Sequence, residues 1–185
     1  MRKLKLQVQV SLDGYVAGPN GEMDWMNFQW DDALKQYTQE LTDTMDTILL
    51  GRKMAEGFIP YWAGVAADDQ HTEQAVGRIF TDAERVVFSR SLQQSPWPGV
   101  ALANDLEAEV RRLKAADGKD IIVYGGAELV SGLLRARLID EIHLFVNPTA
   151  IGEGLSIFRD RCNFALIKAT PFGCGIVVLH YATSA

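Results

Sequence analysis

Three short apolar runs constrain the fold of this 185-residue chain more than any other feature. They read TILL, RVVF and DIIVY, they end at residues 50, 88 and 124, and a glycine or a Ser-Arg pair follows each of them. Continuous apolar runs of this length are typical of strands buried on both faces, as in parallel sheets that helices cover. Helical periodicity returns after the runs, so the pattern predicts an α/β fold.

The two ends of the chain add further strands. Apolar and polar residues alternate over 3–10, and again over 142–147 up to a proline. Near the C-terminus, FALIKAT and GIVVLHYAT are joined at Pro171–Gly175, which predicts an antiparallel hairpin. We therefore expect one domain over 1–185: a three-layer α/β sandwich with a mostly parallel, twisted sheet and an antiparallel C-terminal hairpin.

The helices between these strands have recognisable starts. Either Asp31 or Asp32 can cap the first helix, and Asn104 resembles the first residue of a capping box. A short helix is expected to start near Arg52. The following residues, 61–70, are interpreted as an irregular surface loop.

Composition excludes several classes of function. The net charge is −6 and no Lys/Arg cluster stands out, which argues against nucleic-acid binding. No signal peptide or apolar run of transmembrane length is present, so we expect a cytoplasmic protein without membrane contact. Cys162 and Cys174 are expected as free thiols, with a disulfide between them left open. No metal site is expected, because His71, His143 and His180 lack a short-range partner of the metal-site type.

The ends of the three apolar runs suggest a phosphate-binding edge. Ligands bind outside the carboxyl ends of parallel strands, and Gly125-Gly126 would expose backbone N–H groups at a helix N-terminus. Arg52 and Arg90 could bind a further phosphate, so the set suits NADP rather than NAD. Taken singly, the glycine pair also fits a plain tight turn, and each arginine also fits a solvated side chain.

Five segments in order and spacing resemble the dihydrofolate reductase-like superfamily. They are SLDGYVAG (11–18), LLGRKMAEGF (49–58), VFSRSL (87–92), IIVYGGAELVSGLL (121–134) and LIDEIHLFVNPTAIGEGLSIF (138–158). The chain is most similar to the branch with the reductase domain of bacterial riboflavin biosynthesis and its stand-alone relatives. This resemblance implies NADPH-dependent hydride transfer to a small heterocyclic or conjugated substrate, riboflavin-pathway-like or pterin-like, in a homodimer.

The resemblance also implies which residues surround NADPH. One group lies on the adenosine-phosphate side, a second beneath the pyrophosphate and a third against the nicotinamide. On the adenosine-phosphate side the resemblance implies Gly51, Arg52 and Lys53, with Ser89 and Arg90 at the 2′-phosphate. Beneath the pyrophosphate it implies Gly125, Gly126, Ala127 and Glu128. Against the nicotinamide it implies Val10, Val16 and Ala17, with Thr149 also near the cofactor. Met54 replaces the threonine of the GRKT segment found in many relatives, so a side-chain phosphate contact is lost.

Three residues are candidate catalytic groups. Asp13 matches the aspartate of the SLDG segment in the riboflavin-type reductases, although it also fits a turn-forming residue. Asp32 lies near the position at which folate reductases carry a carboxylate on a helix, although Trp30 aligns more closely with that position. Asp32 also fits a helix cap or a solvated residue. Tyr124 occupies the position just before the paired glycines where riboflavin-type reductases usually have a glutamate. This difference argues against the riboflavin intermediate as substrate. Its hydroxyl could donate a proton, or the ring could simply pack.

Two tryptophans lie close to a glycine-rich loop. Trp25 and Trp30 could line the pocket of a flat substrate by stacking, while core or dimer packing explains them equally well.

The sequence supports two hypotheses of function. The first hypothesis is an NADPH-dependent reductase. The alternative is a non-catalytic nucleotide-binding or sensor protein on the same scaffold, which Met54 and Tyr124 favour. A plain dimeric scaffold would bind no nucleotide at all.

Overall fold

The computed structural model describes residues 1–183, which form eight strands and five helices. In chain order these are β1 (Leu4–Val10), α1 (Asp32–Asp43), β2 (Met45–Gly51), α2 (Arg52–Ala67), α3 (Gln74–Asp82), β3 (Glu84–Phe88), β4 (Val100–Ala103), α4 (Leu106–Ala115), β5 (Asp120–Gly125), α5 (Ala127–Arg135), β6 (Glu141–Val146), β7 (Phe164–Pro171) and β8 (Val177–Thr183). None of the helices in this part of the chain has the length and apolar character needed to cross a bilayer.

The eight strands form one sheet in the order β4-β3-β2-β5-β1-β6-β8-β7. From β4 to β6 every neighbouring pair is parallel, whereas β8 is antiparallel to both β6 and β7. Phe172 and Gly175 close the turn between β7 and β8 through backbone hydrogen bonds. This architecture confirms the predicted parallel sheet with an antiparallel C-terminal hairpin.

Helices cover both faces of the sheet because alternate strand residues point to opposite sides. In β5, Ile121 and Val123 pack with residues of α4 and α5. Ile122 and Tyr124 point the other way and pack with residues of α1, α2 and α3. Both faces of β5 are therefore apolar, which explains why the strand lacks an alternating sequence.

The three apolar runs end beside one another. β3, β2 and β5 are parallel neighbours, with Gly51 paired with Phe88 and Leu50 paired with Gly125. Their carboxyl ends therefore share one edge of the sheet, as the sequence predicts. We call this edge, from Gly51 to Arg90 and Gly126, the glycine edge.

Several predicted boundaries are wrong. α2 is not short but runs for 16 residues to Ala67, and it therefore contains most of the predicted 61–70 loop. Pro60 lies inside α2 on its exposed side, where water can bond the carbonyl that proline leaves without a donor. The cap of α4 is Asp105 rather than Asn104, since the Asp105 carboxylate accepts the N–H of Ala108 at 3.0 Å.

Other local predictions are correct. Asp31 caps α1 by accepting the N–H of Leu34 at 2.8 Å, and Asp32 is the first residue of the helix. Cys162 and Cys174 are both free thiols, as expected.

Candidate functional site

The glycine edge is built on a close approach of two backbones. A Cβ atom added to Gly51 would lie 3.4 Å from the Cα of Gly126, and one added to Gly126 would lie 3.4 Å from the Cα of Gly51. Gly125 and Gly126 have φ angles of +144° and +63°, which side-chain-bearing residues rarely adopt. The glycine pair therefore lets β5 turn into α5 while the end of β2 packs against it.

The same glycines leave two helix N-termini open. Gly51 is the N-cap of α2 and Gly126 is the N-cap of α5, and within residues 1–183 no side chain caps either helix. The first N–H groups of each helix lack intrahelical partners, and the helix dipole makes this end attractive to negative charge. Two such ends lie side by side here, so the glycine edge is suited to bind an anion larger than one phosphate.

Met54 contributes to the edge by packing rather than by a polar contact. Its sulfur lies 3.1 Å from where a Cβ of Gly125 would be, and the side chain belongs to the apolar layer between the sheet and α2. The residue that replaces the threonine thus fills space behind the turn, in agreement with the loss of a phosphate contact expected from the sequence.

Basic side chains surround the open helix ends. Arg52 begins α2, is partly exposed and forms an ion pair with Glu56 one turn later. Lys53 and Arg90 are exposed. The Oγ atom of Ser89 accepts N–H bonds from the next turn, so its hydroxyl proton can be donated either to Ser91 Oγ at 3.4 Å or to an anion.

Glu128 lies in the first turn of α5, and arginines offset its charge. Arg159 donates to the Glu128 carboxylate at 2.6 Å and lowers its pKa, with smaller contributions from the charges of Arg90 and Arg135. Arg90 therefore lies within electrostatic reach of the α5 N-terminus, as the sequence predicts. Arg159 is an additional basic residue that sequence reasoning missed, because it is distant along the chain and follows no strand.

The residues expected near the nicotinamide belong to two loops that hold each other. Leu12 donates its N–H to the carbonyl of Thr149 at 2.8 Å, and Ala17 forms an isolated bridge with Leu155. Val10 and Ala17 are buried, while Val16 is partly exposed. Since β1 neighbours β5, this loop pair continues the carboxyl edge of the sheet from the glycine edge.

Asp13 is a loop anchor in this structure. Its carboxylate accepts the Ser11 hydroxyl at 2.6 Å and the N–H groups of Gly152 at 2.7 Å and Ile151 at 3.2 Å. The Ser11 hydroxyl, followed by these amides, lowers its pKa. An ionised, fully engaged carboxylate is a poor proton donor, so the geometry opposes the catalytic role expected for Asp13 and favours the structural alternative.

The other two catalytic candidates have opposite surroundings, because the Tyr124 hydroxyl is buried and the Asp32 carboxylate is exposed. The Tyr124 ring packs against Phe58 and Phe80 with centroid separations of 5.5 and 5.4 Å, and burial raises the pKa of its hydroxyl. Asp32 is fully exposed on α1 and lies 3.8 Å from Lys35. For Tyr124 the structure favours the packing alternative, because its strand faces α2 and α3, and for Asp32 it favours the solvated alternative.

The tryptophans differ in their surroundings. Trp30 stacks on Phe145 at 5.9 Å between centroids, and its indole N–H donates to the Asn27 carbonyl at 2.7 Å. It therefore belongs to the core beneath α1, which is the packing alternative. Trp25 is partly exposed in the preceding loop and donates to the Glu22 carbonyl at 3.2 Å.

A buried asparagine that sequence reasoning missed ties this loop to the sheet. Asn147 has no exposed surface, and its side chain accepts the Asn27 N–H at 2.8 Å while donating to Gln9 at 2.9 Å. Asn27 in turn donates to the carbonyl of Cys174 in the hairpin. A polar residue between a buried strand and Pro148 is the signal that could have revealed it, because buried amides need partners.

The histidines require a second correction. His143 and His180 are directly opposed on β6 and β8, and Glu141 precedes His143 by two positions on the same face. The expectation that they lack a partner of the metal-site type is therefore wrong for these two residues.

The mostly parallel eight-stranded sheet with its C-terminal hairpin is a dihydrofolate reductase-like fold. Within that class the chain belongs to the RibD C-terminal domain family, whose model matches residues 2–178.

Three relatives illustrate the relationship. The uncharacterised protein YyaP of Bacillus subtilis (strain 168) is 31% identical over 183 residues, which cover 97% of this chain and 94% of YyaP. The riboflavin biosynthesis protein RibD of Corynebacterium ammoniagenes is 23% identical over 82% of this chain and 44% of that protein. The solved deaminase/5-amino-6-(5-phosphoribosylamino)uracil reductase of Thermotoga maritima superposes with a TM-score of 0.70 at 19% identity, over 99% of this chain and 57% of that one.

Proposed function

We propose that this protein is an NADPH-dependent reductase that transfers a hydride to a small heterocyclic or conjugated substrate. The observation that carries the proposal is the meeting of two uncapped helix N-termini, at Gly51 and Gly126, on the edge shared by parallel strands. A dinucleotide presents two linked phosphates, and open helix ends supply the N–H donors and the positive potential that they require.

The basic residues extend this argument to the third phosphate of NADPH. Arg52, Arg90 and the hydroxyl of Ser89 lie at the ends of β2 and β3. Charge-assisted hydrogen bonds from guanidinium groups are the usual way to recognise a phosphate monoester. We assign these three residues to the 2′-phosphate and the N-terminus of α5 to the pyrophosphate.

The hydride-transfer region then lies along the loops that follow β1 and β6. Val16, Ala17 and Thr149 belong to these loops, and Asp13 holds the two loops together. Bound NADPH would supply the hydride, and a rigid, partly dry wall would orient the ring that accepts it. No candidate carboxylate among residues 1–183 offers a proton here, so we assign protonation of the reduced substrate to water.

The proposed substrate class follows from the family and from one residue, Tyr124, that differs from the family's pattern. The RibD of Corynebacterium ammoniagenes is named a riboflavin biosynthesis protein, and the family is that of its C-terminal domain. Tyr124, however, fills the position of an expected glutamate and packs its hydroxyl into the core. We therefore propose a conjugated heterocycle other than the riboflavin intermediate, with the partly exposed Trp25 of the 18–30 loop as an aromatic neighbour.

Cofactor titration tests the proposal. NADPH and NADH are titrated by calorimetry into the wild type, Arg52→Ala, Arg90→Ala and the control Arg111→Ala, an exposed arginine on α4. Losing one charge-assisted contact is worth about 1.5–3 kcal/mol, so each site variant should weaken NADPH about tenfold or more. NADH affinity and the control should change little. Equal weakening of both cofactors would remove the case for 2′-phosphate recognition.

One observation favours the alternative of a non-catalytic nucleotide-binding or sensor protein. Asp13, Tyr124 and Asp32 are all engaged or displaced from the site. NADPH oxidation with a panel of flavin-, pterin- and pyrimidine-type acceptors separates the two hypotheses. Tight NADPH binding without turnover of any acceptor would support the sensor, and steady oxidation would support the reductase.

A further inference from the structure

Three side chains with metal-binding atoms meet on the sheet face beneath α1. Glu141 and His143 lie two residues apart on β6, which places both side chains on one face. His180 lies on β8 directly opposite His143 in the antiparallel register. Two positions on one strand and one across from it converge on a point, since their Cβ atoms are close neighbours on a pleated sheet.

The distances suit a shared ion better than hydrogen bonds. The Nε2 atoms of His143 and His180 lie 3.8 and 3.4 Å from Oε2 of Glu141, and the three atoms all lie within 4.8 Å of one another. Ligand bonds of about 2.0–2.2 Å in a tetrahedral site hold such atoms roughly 3.3 Å apart. The imidazoles stack with centroids 4.0 Å apart, so one ring must tilt to direct its lone pair at the ion.

The two Nε2 atoms are buried without a partner. His143 is 4% exposed, and neither Nε2 atom has a hydrogen bond among the residues that the structure describes. Leaving a buried polar atom unpaired costs about 1–3 kcal/mol. A cation between the two imidazoles and the carboxylate would satisfy all three atoms at once.

Tyr37 holds His143 in a suitable state. Its hydroxyl lies 2.6 Å from Nδ1 of His143, and a proton on Nδ1 that is donated to this oxygen leaves the lone pair on Nε2. Histidine ligands commonly have such an outer partner.

The nearby lysines leave one carboxylate oxygen free. Lys3 donates to Oε1 of Glu141 at 2.6 Å, which leaves Oε2 facing the histidines. Lys5 pairs with Asp120 at 2.7 Å, so its charge is offset. An ion must share Glu141 with Lys3, whose side chain is more than half exposed and can turn into solvent.

We propose that Glu141, His143 and His180 bind one divalent transition-metal ion of the zinc type, with water in the fourth position. Two imidazoles and a carboxylate are a common zinc donor set. The ion would link β6 to β8 and so fasten the C-terminal hairpin to the parallel sheet. The site lies at the amino-terminal half of β6, away from the carboxyl edge, and it is independent of the proposed cofactor.

Metal titration of the chelator-treated full chain tests this site. Zn²⁺ is added in a calorimeter, and Co²⁺ is followed by its visible ligand-field bands. The wild type should bind one equivalent of each metal, with the intense bands of four-coordinate Co²⁺. His180→Ala should weaken Zn²⁺ binding by about tenfold or more, since even the loss of an outer-shell partner costs 10–100-fold. The control His71→Ala changes an exposed-loop histidine and should leave binding unchanged.

Lys3→Met provides a second variant with the opposite expectation. Removing this surface charge frees Oε1 of Glu141 without disturbing the core, so Zn²⁺ should bind more tightly than to the wild type. Circular dichroism checks that each variant is folded. The proposal is overturned if the folded wild type binds no Zn²⁺, or if the folded His180→Ala variant binds it with wild-type affinity.

Discussion

Gly126 links the backbone of the fold to the proposed anion site. Its φ angle of +63° is one that residues with a side chain rarely adopt, whereas a Cβ atom there would make only ordinary van der Waals contact with Gly51. By contrast, Gly57 lies inside α2 with open space around it and an ordinary helical conformation. These two glycines therefore allow the conformational requirement to be measured separately from the general effect of glycine.

We expect Gly126→Ala to lower the free energy of unfolding by about 1–3 kcal/mol, because alanine is strained at a positive φ. Gly57→Ala should instead raise it by about 0.5–1 kcal/mol, since glycine weakens a helix interior relative to alanine. Urea denaturation followed by circular dichroism measures both. Equal and small effects would show that the turn at Gly126 relaxes easily.

At the scale of elements, one carboxylate fastens two loops. Asp13, after β1, accepts N–H groups from Ile151 and Gly152, after β6. The Ser11 hydroxyl and these amides lower the pKa of Asp13, so the folded state binds its proton less readily than the unfolded state. The stabilisation is fully present above the unfolded pKa of about 4 and is lost as pH falls through the lower folded pKa.

We therefore expect the Ile151 and Gly152 amides to lose protection from hydrogen exchange as pH falls through the folded-state pKa of Asp13, which lies below the unfolded value of about 4. In Asp13→Asn these amides should exchange faster at neutral pH and lose their pH-dependent opening. Asp32→Asn, at an exposed carboxylate, is the matched control. NMR-detected exchange between pH 3 and pH 7 makes the comparison, and an unchanged profile in Asp13→Asn would show that another group holds the loops.

The sequence predicts most elements because their signals are local. Runs such as 47–50 and 120–124 are apolar throughout, and buried parallel strands require that pattern. α3 and β4 were not predicted. β4 has only four residues, at the edge of the sheet between a Pro/Gly-rich turn and α4. The predicted 61–70 loop overlaps α2, which continues past Pro60 to Ala67.

The candidate site was predictable only in part, for a related reason. Gly51, Arg52 and Gly126 follow strands whose alignment is implied by the α/β pattern, so their proximity could be expected. The direction in which each side chain points could not be expected from the sequence. Tyr124 turns into the core, and His143 meets His180 only through an antiparallel register that the hairpin sets.

At the scale of the whole molecule, the hairpin leaves apolar surface uncovered. A groove of about 550 Å³ lies over β6 and β8 on the side of α5, with Leu179 and Tyr181 among its lining residues. Leu166 on the edge strand β7 pairs with Tyr181 of this groove and is 58% exposed. Exposed apolar patches of this kind commonly mark protein interfaces, and we propose that a second copy of the chain covers this one.

We expect Leu166→Asp to shift the protein from dimer to monomer, because a charge would be buried in the proposed interface without a partner. Tyr61→Asp alters another exposed apolar side chain, on α2, and should leave the dimer intact. Sedimentation equilibrium measures both. A wild type that is monomeric at all concentrations, or a Leu166→Asp variant that remains dimeric, would rule out this interface.

The strand order also determines when the sheet can be completed. β1 lies between β5 and β6, and Leu4 pairs with Ile121. During synthesis, β1 therefore leaves the ribosome long before either neighbour exists, while β2, β3 and β4 can already align. Pairing so distant in the chain is slow to form and leaves apolar edges open in the meantime. A nascent chain stalled before Asp120 therefore holds β1 without either of the strands that pair with it.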